Sequence, residues 1–146
     1  MARVILTACE RYEFAHRLTV RATDINYAGH LGNEALLGLI HEARSHLMEQ
    51  LGFNTVLSGS ERIGLIIADL AVNFRAEAYA HQELVIDSQV GEIGEKSFRL
   101  FHRVRRDEQI IALVETGLVA YDYQSGQVVA LPGEFLDGLQ WKQASL

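Results

Sequence analysis

Apolar and polar residues alternate from Tyr12 to Val20, near the start of the chain. A period of two residues sends successive side chains to opposite faces of a strand, so that one face is buried and the other meets solvent. The pattern therefore predicts a first β-strand over 12–20.

A second pattern follows a loop that is rich in Asp, Asn and Gly. Between residues 36 and 51, apolar side chains recur at steps of three and four, which is typical of an amphipathic helix. We expect this helix to span 33–51. Its predicted caps are Asn33 or Gly32 at the start and Gly52 at the end.

The rest of the chain reads as strands with short connections, predicted over 64–75, 83–91, 96–106 and 109–123, with a further short extension over 127–131. Short connections join antiparallel neighbours. The sequence thus predicts an α+β fold with one long helix on a curved antiparallel sheet of about five strands. We expect a single domain over 1–146, with its core over about 12–132 and a C-terminal tail over 133–146.

Composition narrows the functional classes. The chain has 146 residues, one cysteine, a net charge of −6 and a pI near 5.5. A lone Cys9 cannot form an intrachain disulfide, and no apolar stretch is long enough to span a membrane, so we expect a cytoplasmic protein. The negative charge argues against nucleic acid as a partner.

Candidate chemistry is concentrated in the loop before the helix. This loop places Asp24 and His30 close to the N–H groups of a helix start, which can stabilise a developing oxyanion. A carboxylate here could attack a carbonyl or take a proton from water. Structural alternatives are a turn or cap role for Asp24, loop support for His30 and a helix cap for Asn33.

The segment TDINYAGHLGNEALLGLIHEAR over 23–44 carries a family resemblance. It resembles the motif of hotdog-fold acyl-CoA thioesterases of the 4-hydroxybenzoyl-CoA thioesterase type. The positions that match in place are Thr23, Asp24, Asn26, Gly29, His30, Asn33, Glu42, Ala43 and Arg44. With the later strands included, the likeness covers about 14–132.

The resemblance implies hydrolysis of an acyl-CoA thioester to the free acid and CoA, with Asp24 as nucleophile or general base. It places the oxyanion at the N–H groups of His30, Leu31 and Gly32. Glu42 is a second catalytic candidate, because some hotdog enzymes use a helix carboxylate; a structural polar pair with Arg44 is the alternative. Candidate substrate-binding residues from the motif are Asn26 and Asn33. Gly32 and Leu36 depart from the family pattern, which suggests a more apolar acyl pocket near the helix start.

Arginines offer a place for the phosphates of CoA. Arg99, Arg103 and Arg105 fall on one face of the predicted strand over 96–106, and Arg75 follows another strand. Guanidinium groups bind phosphate oxygens well, although a solvated face paired with nearby acids is the alternative. His41 and His46 are five residues apart on the helix and lack metal-ligand spacing, so we expect neither a metal nor a cofactor other than the substrate's CoA.

Other functions on the same fold stay open. They are an acyl-ACP thioesterase, a hydratase or dehydratase of 2-enoyl thioesters that uses Asp24 and His30, and a noncatalytic acyl-CoA-binding protein. Long antiparallel strands leave exposed sheet edges, and pairing these edges in a twofold homodimer would cover them. The sequence leaves open whether such dimers associate into tetramers.

Overall fold

A computed structural model describes residues 2–52 and 62–144, with side chains up to residue 139. Its elements run in the order β1 (Phe14–Thr19), a short 3₁₀ turn (Ala22–Asp24), α1 (Asn33–Gln50), β2 (Ile63–Phe74), β3 (Glu83–Gly91), β4 (Ser97–Arg106), β5 (Gln109–Asp122), β6 (Gln127–Val128) and α2 (Gly133–Ala144). The order matches the predicted plan of one helix after the first strand, followed by a run of strands.

The strands form one antiparallel sheet in the order β1-β3-β4-β5-β2, with the short β6 paired to the end of β5. Each pairing within this order is antiparallel. The predicted antiparallel sheet of about five strands is therefore confirmed, with β6 adding two residues. In the described chain, β1 and β2 occupy the two edges.

Helix α1 has 18 residues and buries one side against the sheet. Two core clusters include its apolar side chains: one joins Leu36 and Ile40 to strand residues such as Ile86, and the other joins Leu47 to Phe98. Gly32 is the N-cap, and Gly52 follows the helix with a φ of +84°, a conformation that glycine favours. None of the helices in the described ranges is long and apolar enough to cross a membrane.

The C-terminal segment differs from the prediction. Residues expected as a tail over 133–146 form α2 up to Ala144, and residues 145 and 146 lie outside the described part. Phe135 and Leu139 are buried beside Phe98 and Leu118 of the sheet. Their spacing of four residues after Pro132 is a helical signal, since proline is favoured near a helix start and apolar residues four apart share a face.

Gly117 of β5 lies opposite an irregularity of β2, where the register shifts between Ile67 and Asp69. A glycine in the middle of a strand often marks a bulge. A Cβ at Gly117 would collide with Asp69 and would lie 2.5 Å from Nη1 of Arg99. The glycine therefore makes room for an ion pair between Asp69 and Arg99.

Candidate active site

Hydrogen bonds close the loop before α1 into a defined shape. The N–H of Asn26 donates to the carbonyl of His30 at 2.9 Å, and the N–H of Gly29 donates back to the carbonyl of Asn26 at 3.0 Å. The Asn26 side chain accepts from the N–H of Ala28 at 2.9 Å. Gly29 has a φ of +87°, which few other residues adopt. Asn26 therefore shapes the loop as well as facing the cavity described below.

Asp24 is buried at the base of this loop, with 4% of its surface exposed. Its Oδ2 accepts the N–H of Arg21 at 2.8 Å, and its Oδ1 accepts from Nη2 of Arg21 at 3.0 Å. Burial raises the pKa of this carboxyl, but the side-chain and main-chain hydrogen bonds from Arg21 outweigh it and lower the pKa overall. These contacts correspond to the cap role considered as the alternative for Asp24.

Two of the expected oxyanion donors are already paired. The N–H of Leu31 donates to the carbonyl of Ala78 at 2.8 Å, and the N–H of Gly32 donates to the carbonyl of Asp24 at 3.0 Å. The N-cap residue, Gly32, has no side chain that could cap α1, and Asn33 Oδ1 accepts the N–H of Glu34 at 2.8 Å. Free donors at a helix start come from its first turn, which here begins at Asn33.

A cavity of about 630 Å³, which we call the helix-start cavity, opens beside this turn. Its walls come from the loop and first turn of α1, and from the segment that follows β2; the lining residues are Asn26, Tyr27, His30, Leu31, Asn33, Glu34, Phe74, Arg75, Ala76 and Glu77. Leu36, expected to make the acyl pocket more apolar, is instead 1% exposed in the core. The apolar walls come from the aromatic and aliphatic members of this set.

Among the candidate catalytic residues, His30 lines the cavity and lies near a second polar side chain, that of Glu77. Its Nδ1 lies 3.2 Å from the carbonyl of Leu31, so a proton on Nδ1 can donate there and leave Nε2 as an acceptor. Nε2 lies 3.7 Å from Oε1 of Glu77, whose Oε2 accepts a 2.7 Å hydrogen bond from the Tyr79 hydroxyl. His30 is thus held by a main-chain carbonyl and faces a carboxylate.

The predicted arginines separate into two groups. Arg75 lines the helix-start cavity and, among the contacts of the described residues, donates to the carbonyl of Leu6 at 3.4 Å without an ion pair. Arg99 pairs with Asp69 and Glu115, whereas Arg103 and Arg105 both pair with the buried Asp87. The paired arginines match the alternative of a strand face that neutralises nearby acids.

Glu42 does not line the helix-start cavity. It lies on α1, where its Oε1 is 3.0 Å from Nε2 of His46, while Arg44 contacts Nδ1 of His41 at 2.8 Å. The polar pair between Glu42 and Arg44 that was considered as the structural alternative does not form, because each of the two contacts a histidine instead. Residues two apart on a helix do not share a face, whereas residues three or four apart do.

Sequence reasoning missed Phe74 and Glu77, which complete the cavity from the far side. Both lie near the end of β2, in a stretch without a motif, and only the pairing of that stretch with the loop brings them to α1. The N–H of Leu31 bonded to Ala78 is the contact that joins the two walls.

Comparisons with known proteins agree with this architecture. A 1,4-dihydroxy-2-naphthoyl-CoA hydrolase of Synechococcus sp. (strain CC9605) is 30% identical over 134 residues, covering 87% of this chain and 87% of that protein. A hydrolase of the same name from Synechococcus elongatus is 25% identical over 130 residues, covering 88% of this chain and 96% of its own length. A solved 1,4-dihydroxy-2-naphthoyl-CoA thioesterase from Synechocystis superposes with a TM-score of 0.79 at 18% identity, covering 87% of this chain and 95% of that one.

The family model described as the thioesterase-like superfamily matches residues 20–139, which include the loop, α1 and the whole sheet beyond β1. The matched region agrees with the resemblance seen in residues 23–44 and confirms the prediction of a hotdog-fold acyl-CoA thioesterase. The chain belongs to the thioesterase-like superfamily.

Proposed function

We propose that the helix-start cavity hydrolyses an acyl-CoA thioester with an aromatic acyl group. The observation that carries this proposal is the meeting of three groups at one cavity: His30, the first turn of α1 and Arg75, which makes no ion pair with the other described residues. Together they offer a base and an oxyanion site for the hydrolysis, and a cation that can bind a phosphate of CoA.

In the proposed mechanism, Nε2 of His30 takes a proton from a water molecule as the water oxygen adds to the thioester carbonyl carbon. The main-chain N–H groups of the first turn of α1, apart from those of Glu34 and Leu36, which are already paired, hold the resulting oxyanion. Collapse of this intermediate breaks the C–S bond, and the proton passes from His30 to the CoA thiolate. Glu77 stabilises the imidazolium while it exists.

The prediction that Asp24 is the nucleophile or general base stays open to test. We favour a positioning role, because Arg21 occupies both of its carboxylate oxygens and lowers its pKa, which makes the carboxylate a weak base. A single turnover in ¹⁸O water tests covalent attack by Asp24. Label in the carboxylate of Asp24 would support covalent attack, whereas an unlabelled Asp24 with labelled product acid would support attack by water.

An aromatic acyl group is our choice for two reasons. The similar Synechococcus proteins are named as hydrolases of a naphthoyl-CoA, and the cavity carries the aromatic side chains of Tyr27 and Phe74 beside Leu31. Aromatic rings pack favourably against one another in offset or edge-to-face arrangements. Arg75 then serves the phosphates of the CoA moiety.

A hydrolysis screen tests this proposal, using CoA thioesters from acetyl to palmitoyl with benzoyl, phenylacetyl and naphthoyl forms. We expect the highest kcat/KM for aromatic acyl groups. His30→Gln should lower kcat by at least about 100-fold, since general base catalysis contributes at least that much. His41→Gln, which removes an imidazole on α1 outside the cavity, is the control. Equal rates across all acyl groups would refute the aromatic preference, and a normal rate for His30→Gln would refute the base.

The remaining alternatives are distinguished in the same assay. ACP thioesters compared with CoA thioesters test the carrier, and loss of crotonyl-CoA absorbance tests hydration of a 2-enoyl thioester. A noncatalytic binding protein would bind acyl-CoA without releasing CoA. We expect hydrolysis with CoA as the preferred carrier.

We further propose that α1 is the central helix of a hotdog fold and that the chain forms a homodimer through the edge strand β2. The exposed side chains of Ile67 and Leu70 on β2 support this, since an apolar edge invites pairing. Light scattering should give twice the chain mass, and Leu70→Lys should shift it towards the monomer. A tetramer and a cytoplasmic location stay predictions.

A further inference from the structure

Three side chains that could bind a metal lie close together between β1 and α1, away from the helix-start cavity. They are the imidazoles of His16 and His46 and the carboxylate of Glu42, each with a donor atom within 4.8 Å of the other two. The imidazole rings stack with their centroids 4.1 Å apart and an interplanar angle of 22°. We call this group the β1–α1 cluster.

The fold explains why these residues meet. Glu42 and His46 are four residues apart, so they share one face of α1, and Nε2 of His46 lies 3.0 Å from Oε1 of Glu42. His16 lies on β1 on the same side as Phe14 and Leu18, whose side chains pack against the two core clusters. This orientation directs His16 from the edge strand towards the helix.

Both the chemistry and the accessibility of the cluster suit a metal ion. Two imidazoles and one carboxylate form a donor set that binds zinc and related divalent transition metals. The Glu42 and His46 side chains are 59% and 46% exposed, so an ion can enter from solvent and water can complete its coordination. Two ligands bonded to one ion at about 2.0–2.2 Å are at most about 4.4 Å apart, so the donor atoms, which lie within 4.8 Å of one another, have to move closer to bind it.

A divalent cation bound by the two imidazoles would also neutralise the charge of Glu42, whose Oε1 lies 3.0 Å from Nε2 of His46.

We propose that His16, Glu42 and His46 bind one divalent transition-metal ion of the Zn²⁺ type, which fastens the edge strand β1 to α1. The chain sequence places His46 five residues after His41, a spacing without metal-binding character, and the site emerges only when the fold adds His16 from β1. The ion has a structural role, since none of its ligands lines the helix-start cavity.

The tag-free protein is first treated with a chelator, and the chelator is removed. Calorimetric titration with Zn²⁺ then tests the proposal. We expect one ion per chain and a rise in Tm, since a ligand that binds only the folded state stabilises it. His16→Gln and His46→Gln should each weaken binding at least about tenfold, because each removes a ligand from the metal. Co²⁺ in place of Zn²⁺ should give a visible absorption spectrum that both substitutions change.

The matched control is His41→Gln, which removes an exposed imidazole from the same helix and should bind Zn²⁺ like the parent protein. Circular dichroism checks that each variant is folded, and His46→Gln gives a second reading if His16→Gln unfolds. Absence of Zn²⁺ binding would overturn the proposal. So would binding that survives the substitutions at both His16 and His46, since the ion would then lie elsewhere.

Discussion

Glu77 connects His30 to Tyr79: its Oε1 lies 3.7 Å from Nε2 of His30, and its Oε2 accepts the Tyr79 hydroxyl at 2.7 Å. The hydrogen bond fixes one carboxylate oxygen, so the other faces the imidazole. The pair is exposed, with 29% of the His30 side chain and 58% of the Glu77 side chain accessible. Water therefore screens the interaction, and its contribution is modest.

Removing the charge of Glu77 should slow the enzyme without stopping it. An exposed ion pair contributes roughly 0.2–1 kcal/mol, so we expect Glu77→Gln to lower kcat about 1.4- to fivefold if this carboxylate stabilises the imidazolium. High salt should shrink the difference, because the charges are partly exposed. Steady-state kinetics at low and high salt measure both effects.

Glu83→Gln is the control for this prediction, because Glu83 pairs with Arg17 on the exposed edge of the sheet and outside the cavity. The same fall in kcat for both variants would mean that general surface charge, and not the contact with His30, is responsible.

Arg75 should act on substrate binding more than on the chemical step. A hydrogen bond to a charged group contributes roughly 1.5–3 kcal/mol, so Arg75→Ala should raise KM for CoA thioesters by at least about tenfold while kcat changes little. Arg17→Ala removes an exposed arginine elsewhere and should leave KM unchanged. A KM for Arg75→Ala equal to that of the parent protein would contradict the phosphate-binding role of Arg75. The same rise in KM for a thioester without the nucleotide would contradict it as well.

Helix α1 and the long strands were predictable because each has a local period of apolar residues in the sequence. The alternation in β1 appears in the structure as alternating partly buried and exposed side chains, and β3 begins and ends at the predicted residues. Helix α2 was missed because the segment was assigned as a tail, although Phe135 and Leu139 have a helical spacing. Their burial against the sheet stabilises so short a helix, so tertiary contacts add to the local pattern in that part of the chain.

Only part of the cavity lining was predictable from the sequence. The motif placed His30 and Asn33 at the start of α1, where both line the cavity. It could not show that Arg21 would occupy the carboxylate of Asp24, because that contact depends on the turn that brings residue 21 back to residue 24. Nor could it show Glu77, which reaches the site through the pairing of Leu31 with Ala78.

The burial of Phe135 predicts that α2 is part of the folded core. Its side chain is fully buried, with its ring centroid 5.7 Å from that of Phe98. Phe135→Ala should cost about 3–5 kcal/mol of the free energy of unfolding, the usual range for a buried phenylalanine. Asp137→Ala, at an exposed position of the same helix, should cost much less. Urea unfolding compares the variants, and equal losses would show that α2 contributes no core packing.

Buried His102 should make the stability of the protein depend on pH in a mildly acidic range. Its Nδ1 lies 2.7 Å from Oγ of Ser88, and Nε2 has no hydrogen-bond partner among the described residues. Burial, together with the nearby charge of Arg44, lowers the pKa of His102 to about 3 from its ordinary 6.5. Below about pH 6.5 this histidine is therefore protonated in the unfolded chain, whereas in the folded chain it stays neutral until the pH approaches 3.

It follows that the free energy of unfolding decreases as the pH falls from 6.5 towards 3, because protonation favours the unfolded state. Between pH 6.5 and pH 4.5, protonation of this one histidine in the unfolded state should lower the free energy of unfolding by about 2 kcal/mol. His102→Gln keeps a hydrogen-bonding partner for Ser88 and removes the titration, so its stability should change less over the same interval. His16, whose pKa burial also lowers, contributes equally to both proteins and cancels in the comparison. Urea unfolding at several pH values measures the two slopes, and identical slopes would mean that His102 is protonated in the folded protein.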